Sequence, residues 1–237
     1  MTRISELLKR LVEGGIEVTN EIKKVMIETE IELFSDYDCD PFYSDRPIPF
    51  TETELGEVKT ISAPHMIITL LHNMELLEEQ EVIIIGSKGG YLAALVAQLI
   101  GEKGIVRVLE TCSNVISHSK QRLTHWPTIE FRELESIEVS PVAFPGEFDR
   151  VLITGHIEEL PNWITSRISD TGFVIAPLGP DNNQHLMKIE KQGDELFPTN
   201  LGPVCFGPLE NKKQNGQYIS PLELAELLEL VIQTCQE

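Results

Sequence analysis

The residues with the most chemical content in this 237-residue chain lie in one short stretch, Gly86–Ser87–Lys88–Gly89–Gly90–Tyr91. It follows the apolar run Val82–Ile83–Ile84–Ile85, so it reads as the turn between a buried strand and a helix. Such a turn presents backbone N–H groups and a helix N-terminus to a nucleotide-like ligand. The spacing excludes two common forms of it. The G-x-G-x-x-G dinucleotide pattern is not met, and no G-K-[ST] follows to complete a phosphate-binding loop. Glu110 lies 24 residues after Gly86, at the end of the next strand, where a carboxylate can accept hydrogen bonds from ribose hydroxyls. A solvated strand-end glutamate is the other reading in so acidic a chain.

A shorter G-x-G-x-G turn, common in S-adenosylmethionine (SAM) methyltransferases, fits better. Gly86 and Gly90 match it, and Lys88 stands where the central glycine would be. Other constellations carry less. Asp36, Asp38 and Asp40 alternate like calcium ligands, but an EF-hand loop needs Gly at its sixth position and Glu at its twelfth, and those positions hold Pro41 and Pro47. Cys39, Cys112, Cys205 and Cys235 are scattered without a C-x-x-C pair, so neither a metal site nor a disulfide framework is expected.

The elements that must position the turn follow from periodicity. Ile4, Leu7, Leu8, Leu11 and Val12 share one helical face, and Gly14–Gly15 ends that helix. Thr19 or Asn20 can cap a second helix with Ile22, Val25 and Met26 inward. From Glu81 onward strands and helices alternate, as a parallel sheet with crossover helices requires. Strands are predicted over 105–109, 128–132, 150–154 and 172–178, with helices over 91–100 and from Pro161. Segments 186–191 and 203–209 have no helix between them and predict antiparallel strands at the edge. Ser220–Pro221–Leu222–Glu223 is a capping box opening a C-terminal helix. The expectation is one α/β domain over 1–237, with a helical N-terminal extension (1–60), a Rossmann-like core (61–209) and a C-terminal helix (210–237).

Several segments together resemble the protein-L-isoaspartate O-methyltransferase family. Thr60–Ile61–Ser62–Ala63–Pro64–His65–Met66 reproduces that family's signature motif, and Tyr43–Ser44–Asp45–Arg46–Pro47–Ile48–Pro49 resembles a second segment. The stretches 148–154, 172–179 and 204–209 resemble its fourth strand, its Gly-Gly-x-Leu-Ile strand and its closing Val-x-Phe-Val-Pro-Leu. The resemblance implies a SAM-dependent methyltransferase fold and methylation of isoaspartyl side-chain carboxyls in a protein or peptide substrate. It places Ser62 at the active-site serine position, with Thr60 and His65 beside it. Gly86, Ser87, Lys88, Gly90, Glu110 and, more loosely, Glu135 would hold the cofactor. Read alone, Ser62 is a helix N-cap ahead of Pro64. The departures cluster at the cofactor: Ile84 replaces an acid, Lys88 a glycine, Leu134–Glu135–Ser136 a Gly-Asp-Gly, and Gly155–His156–Ile157–Glu158 a run of small residues.

The totals narrow the partners. Nineteen basic against thirty-eight acidic residues leave a net charge of −19, which repels phosphate backbones and makes nucleic acid an unfavoured partner. No run of about 18 apolar residues predicts a membrane span, and the N-terminal residues lack a signal-peptide core, so a cytoplasmic protein is expected. Two hypotheses remain: a carboxyl methyltransferase, motivated by the Ser62 motif and Glu110, or a non-catalytic relative that binds a basic protein partner, motivated by Lys88, Ile84 and the charge.

Overall fold

The structure is a computed structural model that describes residues 2–53, 56–141 and 146–209. In chain order it opens with α1 (Arg3–Glu13), α2 (Asn20–Glu28), β1 (Ile48–Glu52), β2 (Val58–Ile61) and α3 (Pro64–Asn73). Then come β3 (Glu81–Ile85), α4 (Tyr91–Ile100), β4 (Ile105–Glu110), α5 (Ser113–Arg122) and β5 (Ile129–Glu133). The remainder is β6 (Phe148–Ile153), α6 (Asn162–Thr165), β7 (Ile168–Leu178), β8 (Gln184–Gln192) and β9 (Glu195–Val204).

Seven of these strands form one sheet in the order β5-β4-β3-β6-β7-β8-β9. The first five are mutually parallel, and β8 and β9 are added antiparallel, as the missing helix between them predicted. This is the expected Rossmann-like α/β fold. Strand order reverses at β3, which has β4 on one side and β6 on the other. In an open parallel sheet that reversal leaves a crevice at the carboxyl ends of the strands, where ligands bind.

Burial explains the continuous apolar run in β3. Successive side chains point to opposite faces, so Val82 and Ile84 enter one buried cluster with residues of α3 and α4, while Ile83 and Ile85 enter a second with Val151 and Ile153 of β6. Ile84 therefore belongs to the apolar layer beneath the helices. Helix α4 is buried along nearly its whole length, and Ala93, Ala94 and Ala97 let it lie close to the sheet.

The N-terminal extension begins with the two predicted helices, and Leu7, Leu8 and Leu11 of α1 are buried, but Val12, near the end of that helix, is exposed. Thr19 accepts a hydrogen bond from the Ile22 N–H at 3.2 Å and caps α2. It does not remain helical to residue 60, because β1 and β2 pair antiparallel as a separate two-stranded sheet. Strands this short, one of them broken by Pro49, carry little periodic signal; long-range burial of Ile48, Phe50 and Ile61 stabilises them. The extension clamps the core through Phe34 and Phe42, whose rings meet Tyr91 edge-on at centroid distances of 5.3 and 5.6 Å. Tyr91 is the first residue of α4, so these contacts fix the helix start that follows the glycine turn.

Two further differences are local. Pro161 is the N-cap of α6, a single turn, and not its first helical residue. The last strand spans Glu195–Val204, earlier than the predicted 203–209, and residues 205–209 continue as a strap. The helix predicted from Ser220 lies outside the described residues. Among the described residues no helix is long and apolar enough to cross a membrane, and Cys39, Cys112 and Cys205 are free thiols.

Candidate functional site

The crevice above β3, β4 and β6 holds a cavity of about 330 Å³. Its floor is the glycine turn. Gly86 has φ +95°, a left-handed conformation, and a Cβ there would lie 2.3 Å from Thr154 Oγ1, so only glycine fits without displacing that hydroxyl. Thr154, just past β6, donates to the Gly86 carbonyl at 2.8 Å and ties the two strand ends together.

Three of the turn's N–H groups are bonded within the protein. Gly86 N–H donates to the Leu109 carbonyl at 2.8 Å, and Gly90 N–H to the Ser87 carbonyl at 2.9 Å. Ser87 N–H donates to Glu110 Oε2 at 2.8 Å, while the other carboxylate oxygen of Glu110 accepts from Thr111 N–H at 2.8 Å and Cys112 N–H at 3.1 Å. Glu110 is buried and thus joins the β3 turn to the start of α5. A carboxylate has about four acceptor positions, so with three taken it can still receive one hydroxyl. The Ser87 hydroxyl pairs with that of Ser119 on α5.

Lys88 differs from its neighbours. Its φ of +46° is left-handed, a conformation that disfavours any residue with a Cβ. Its side chain lines the cavity, with the ammonium 5.8 Å from the centroid of the Phe206 ring. Burial pushes the ammonium pKa down, the nearby Lys59 charge adds to that, and Glu110 opposes it. Among the described residues no carboxylate forms an ion pair with it.

The other walls come from distant parts of the chain. The β1–β2 sheet contributes Phe50, Lys59 and Thr60, and Lys59 pairs with Glu57 at 3.0 Å. Gly207, Pro208 and Leu209 form the roof. The strap is hydrogen-bonded across His156, whose N–H donates to the Gly207 carbonyl and whose carbonyl accepts from Leu209 N–H, both at 2.9 Å. Leu209 packs so closely that a Cβ on Gly155 would lie 2.8 Å from its Cα.

Of the residues singled out by sequence, Thr60, Gly86, Ser87, Lys88 and Glu110 meet at this cavity. Ser62, His65, Gly90 and Glu135 do not line it. Ser62 lies one residue beyond β2 and is half-buried, and it is not the helix cap, since Ala63 holds the N-cap position of α3. Asp45 performs the capping from 20 residues away: its carboxylate accepts the His65 N–H at 2.9 Å and also contacts His65 Nδ1 at 2.9 Å. Asp45 has φ +58° at the end of a short helical turn, so the Tyr43–Pro49 segment anchors the Thr60–Met66 segment. Gly90 is a packing residue, where a Cβ would lie 2.9 Å from Leu123 Cδ1. Glu135 is exposed beyond β5. Lys59, Thr154 and Leu209 were not singled out; Thr154, at the end of a predicted strand beside the switch point, was the one with a readable signal.

Comparison with known proteins gives a consistent result. A family model described as protein-L-isoaspartate(D-aspartate) O-methyltransferase matches residues 2–214. The protein-L-isoaspartate O-methyltransferase of Fervidobacterium nodosum is 25% identical over 196 residues, covering 82% of this chain and 92% of that one. That of Pyrobaculum islandicum is 28% identical over 210 residues, covering 86% and 98%. A solved protein-L-isoaspartate O-methyltransferase superposes with a TM-score of 0.77 at 20% identity, covering 88% of this chain and 66% of that longer one. A Plasmodium falciparum candidate of the same activity, in complex with S-adenosyl-L-homocysteine, superposes with a TM-score of 0.75 at 22% identity, covering 89% and 99%. At these identities the two structures show a shared fold.

Proposed function

This chain belongs to the protein-L-isoaspartate O-methyltransferase family, and from that premise we propose that it transfers a methyl group from SAM to the side-chain carboxylate of L-isoaspartyl residues in proteins. The observation that carries this reading is the convergence of Thr60, from the signature segment, with the glycine turn and Glu110 on one cavity at the switch point. The residues there suit an adenosyl amino acid. Glu110 has one acceptor position left for a ribose hydroxyl, and Gly86 lets the ligand approach the backbone. The cavity is within the range of ligand pockets, about 300–1,000 Å³.

The chemistry asks little of the protein beyond geometry. Bound SAM supplies a methyl group already activated by its sulfonium. An isoaspartyl carboxylate, with a pKa near about 4, is ionised at neutral pH and needs no general base to attack. The chain's task is to orient that carboxylate and keep water out. Thr60, on β2 at the cavity wall, would donate its hydroxyl to the carboxylate, and Ser62 follows it two residues on. His65 keeps the segment in place through Asp45. Pro208 and Leu209 cover part of the cavity and would help to keep water out.

The test is transfer of labelled methyl from SAM to an isoaspartyl peptide and to its normal aspartyl isomer. Base-labile methyl ester on the first alone is the expected result. Absence of transfer, together with calorimetry showing no binding of SAM or its demethylated product at high micromolar concentration, would return the non-catalytic hypothesis.

A further inference from the structure

We propose that Lys88 is the carboxylate anchor of this cavity, its ammonium holding the α-carboxylate of the amino-acid arm of the adenosyl ligand; this rests on the cofactor reading above. A glycine turn ordinarily receives an anion with its backbone N–H groups and the following helix N-terminus. Here three of those groups are engaged: Gly86 N–H with the Leu109 carbonyl, Gly90 N–H with the Ser87 carbonyl and Ser87 N–H with the Glu110 carboxylate. Those three donors are not free to meet the ligand's carboxylate, and the side chain at the turn's centre supplies a charged one in their place.

Lys88 has the properties of such a replacement. It lines the cavity, and no described carboxylate pairs with it. Lys59, the other lysine on the walls, is already engaged by Glu57 at 3.0 Å. A half-buried ammonium without a counter-ion is unfavourable, so the free protein leaves a charge that an incoming carboxylate neutralises. The hydrogen bond formed would be charge-assisted, the stronger kind, and lost if the ligand lacked its carboxylate. The left-handed φ of +46° at Lys88 is a second unfavourable feature, kept at the one position of the turn whose side chain projects a charge into the cavity.

The test is calorimetric titration of the full chain and its Lys88→Met and Lys88→Arg variants with two ligands. One is S-adenosylhomocysteine, whose neutral sulfur avoids repulsion between a sulfonium and the lysines. The other is its decarboxylated analogue, which keeps the adenosine, thioether and amine. The expected result is that Lys88→Met weakens S-adenosylhomocysteine binding by about 10-fold or more while changing the analogue's affinity by less than about 2-fold, with Lys88→Arg retaining most of the affinity. The analogue serves as the control for folding. Equal or tighter binding of S-adenosylhomocysteine by Lys88→Met would overturn the anchor and make the lysine an obstruction. If the unaltered chain binds both ligands equally, the cofactor reading stands and the anchor falls. If it binds neither, both fall.

Discussion

Two segments face the same cavity and are built on opposite plans. The Thr60–Met66 segment on the substrate side keeps a family motif intact, and its polar groups are fixed from outside the cavity, as Asp45 fixes His65. The Gly86–Tyr91 turn on the cofactor side departs from the family at its centre, and three of its N–H groups are bonded within the protein, to Leu109, Glu110 and Ser87. The first is a wall with a motif to read. The second is a partly satisfied turn with one charge left over. What a site does is set by the groups that remain unpaired after the fold has used the others.

The contrast can be broken most severely at Glu110. Replacing it by Ala leaves three N–H groups without their acceptor in a buried place, which should cost about 3 kcal/mol of stability or more. Urea unfolding measures this, and a loss below about 1 kcal/mol would mean that the turn does not depend on the carboxylate. Next is Lys88→Met, which should stabilise the free protein by about 1–2 kcal/mol because an unpaired ammonium leaves the interior. The pH dependence carries the same sign. With its pKa lowered in the fold from the ordinary 10.5, Lys88 binds fewer protons in the native than in the unfolded chain as pH rises from the lowered value toward 10.5. Native stability should therefore gain from this residue as pH rises through that window and lose it as pH falls, and Lys88→Met should flatten that component of the profile. The groups facing the ammonium are Lys59, from β2, and Glu110, at the end of β4, and Lys88→Met keeps both. The smallest effect belongs to the substrate-side wall. Asp45→Ala removes the cap of α3 and should cost about 1 kcal/mol, with methyl transfer falling more than S-adenosylhomocysteine affinity. Equal loss in both would mean that the two segments are not independent.

Much of the scaffold was legible in the sequence because it depends on local pattern. The continuous apolar run of Val82–Ile85 marks a strand covered on both faces, and the glycines after it mark the turn. The cap at Thr19 and the antiparallel pairing of β8 follow from equally local signals. The pieces that escaped depend on tertiary contact. Strands β1 and β2 exist because Phe50 and Ile61 pack over Gly89, where a Cβ would lie 3.0 and 3.2 Å from their side chains. Helix α3 has Ala63 at its N-cap position because Asp45 supplies the acceptor from elsewhere. Strand β9 carries Pro198 and Pro203, is mostly exposed and shows no alternation, so its boundary could not be read from hydrophobicity. At the site, Glu110 was legible as a strand-end carboxylate, while its three N–H partners were not, because a count of hydrogen bonds requires coordinates.

The strap beside the cavity bears on how the site keeps its width. Leu209 packs against both Gly86 and Gly155, and the two hydrogen bonds to His156 hold it there. A side chain added at either glycine would press on Leu209 and so displace a wall of the cavity. The room left for a ligand therefore depends on two positions that carry no side chain at all.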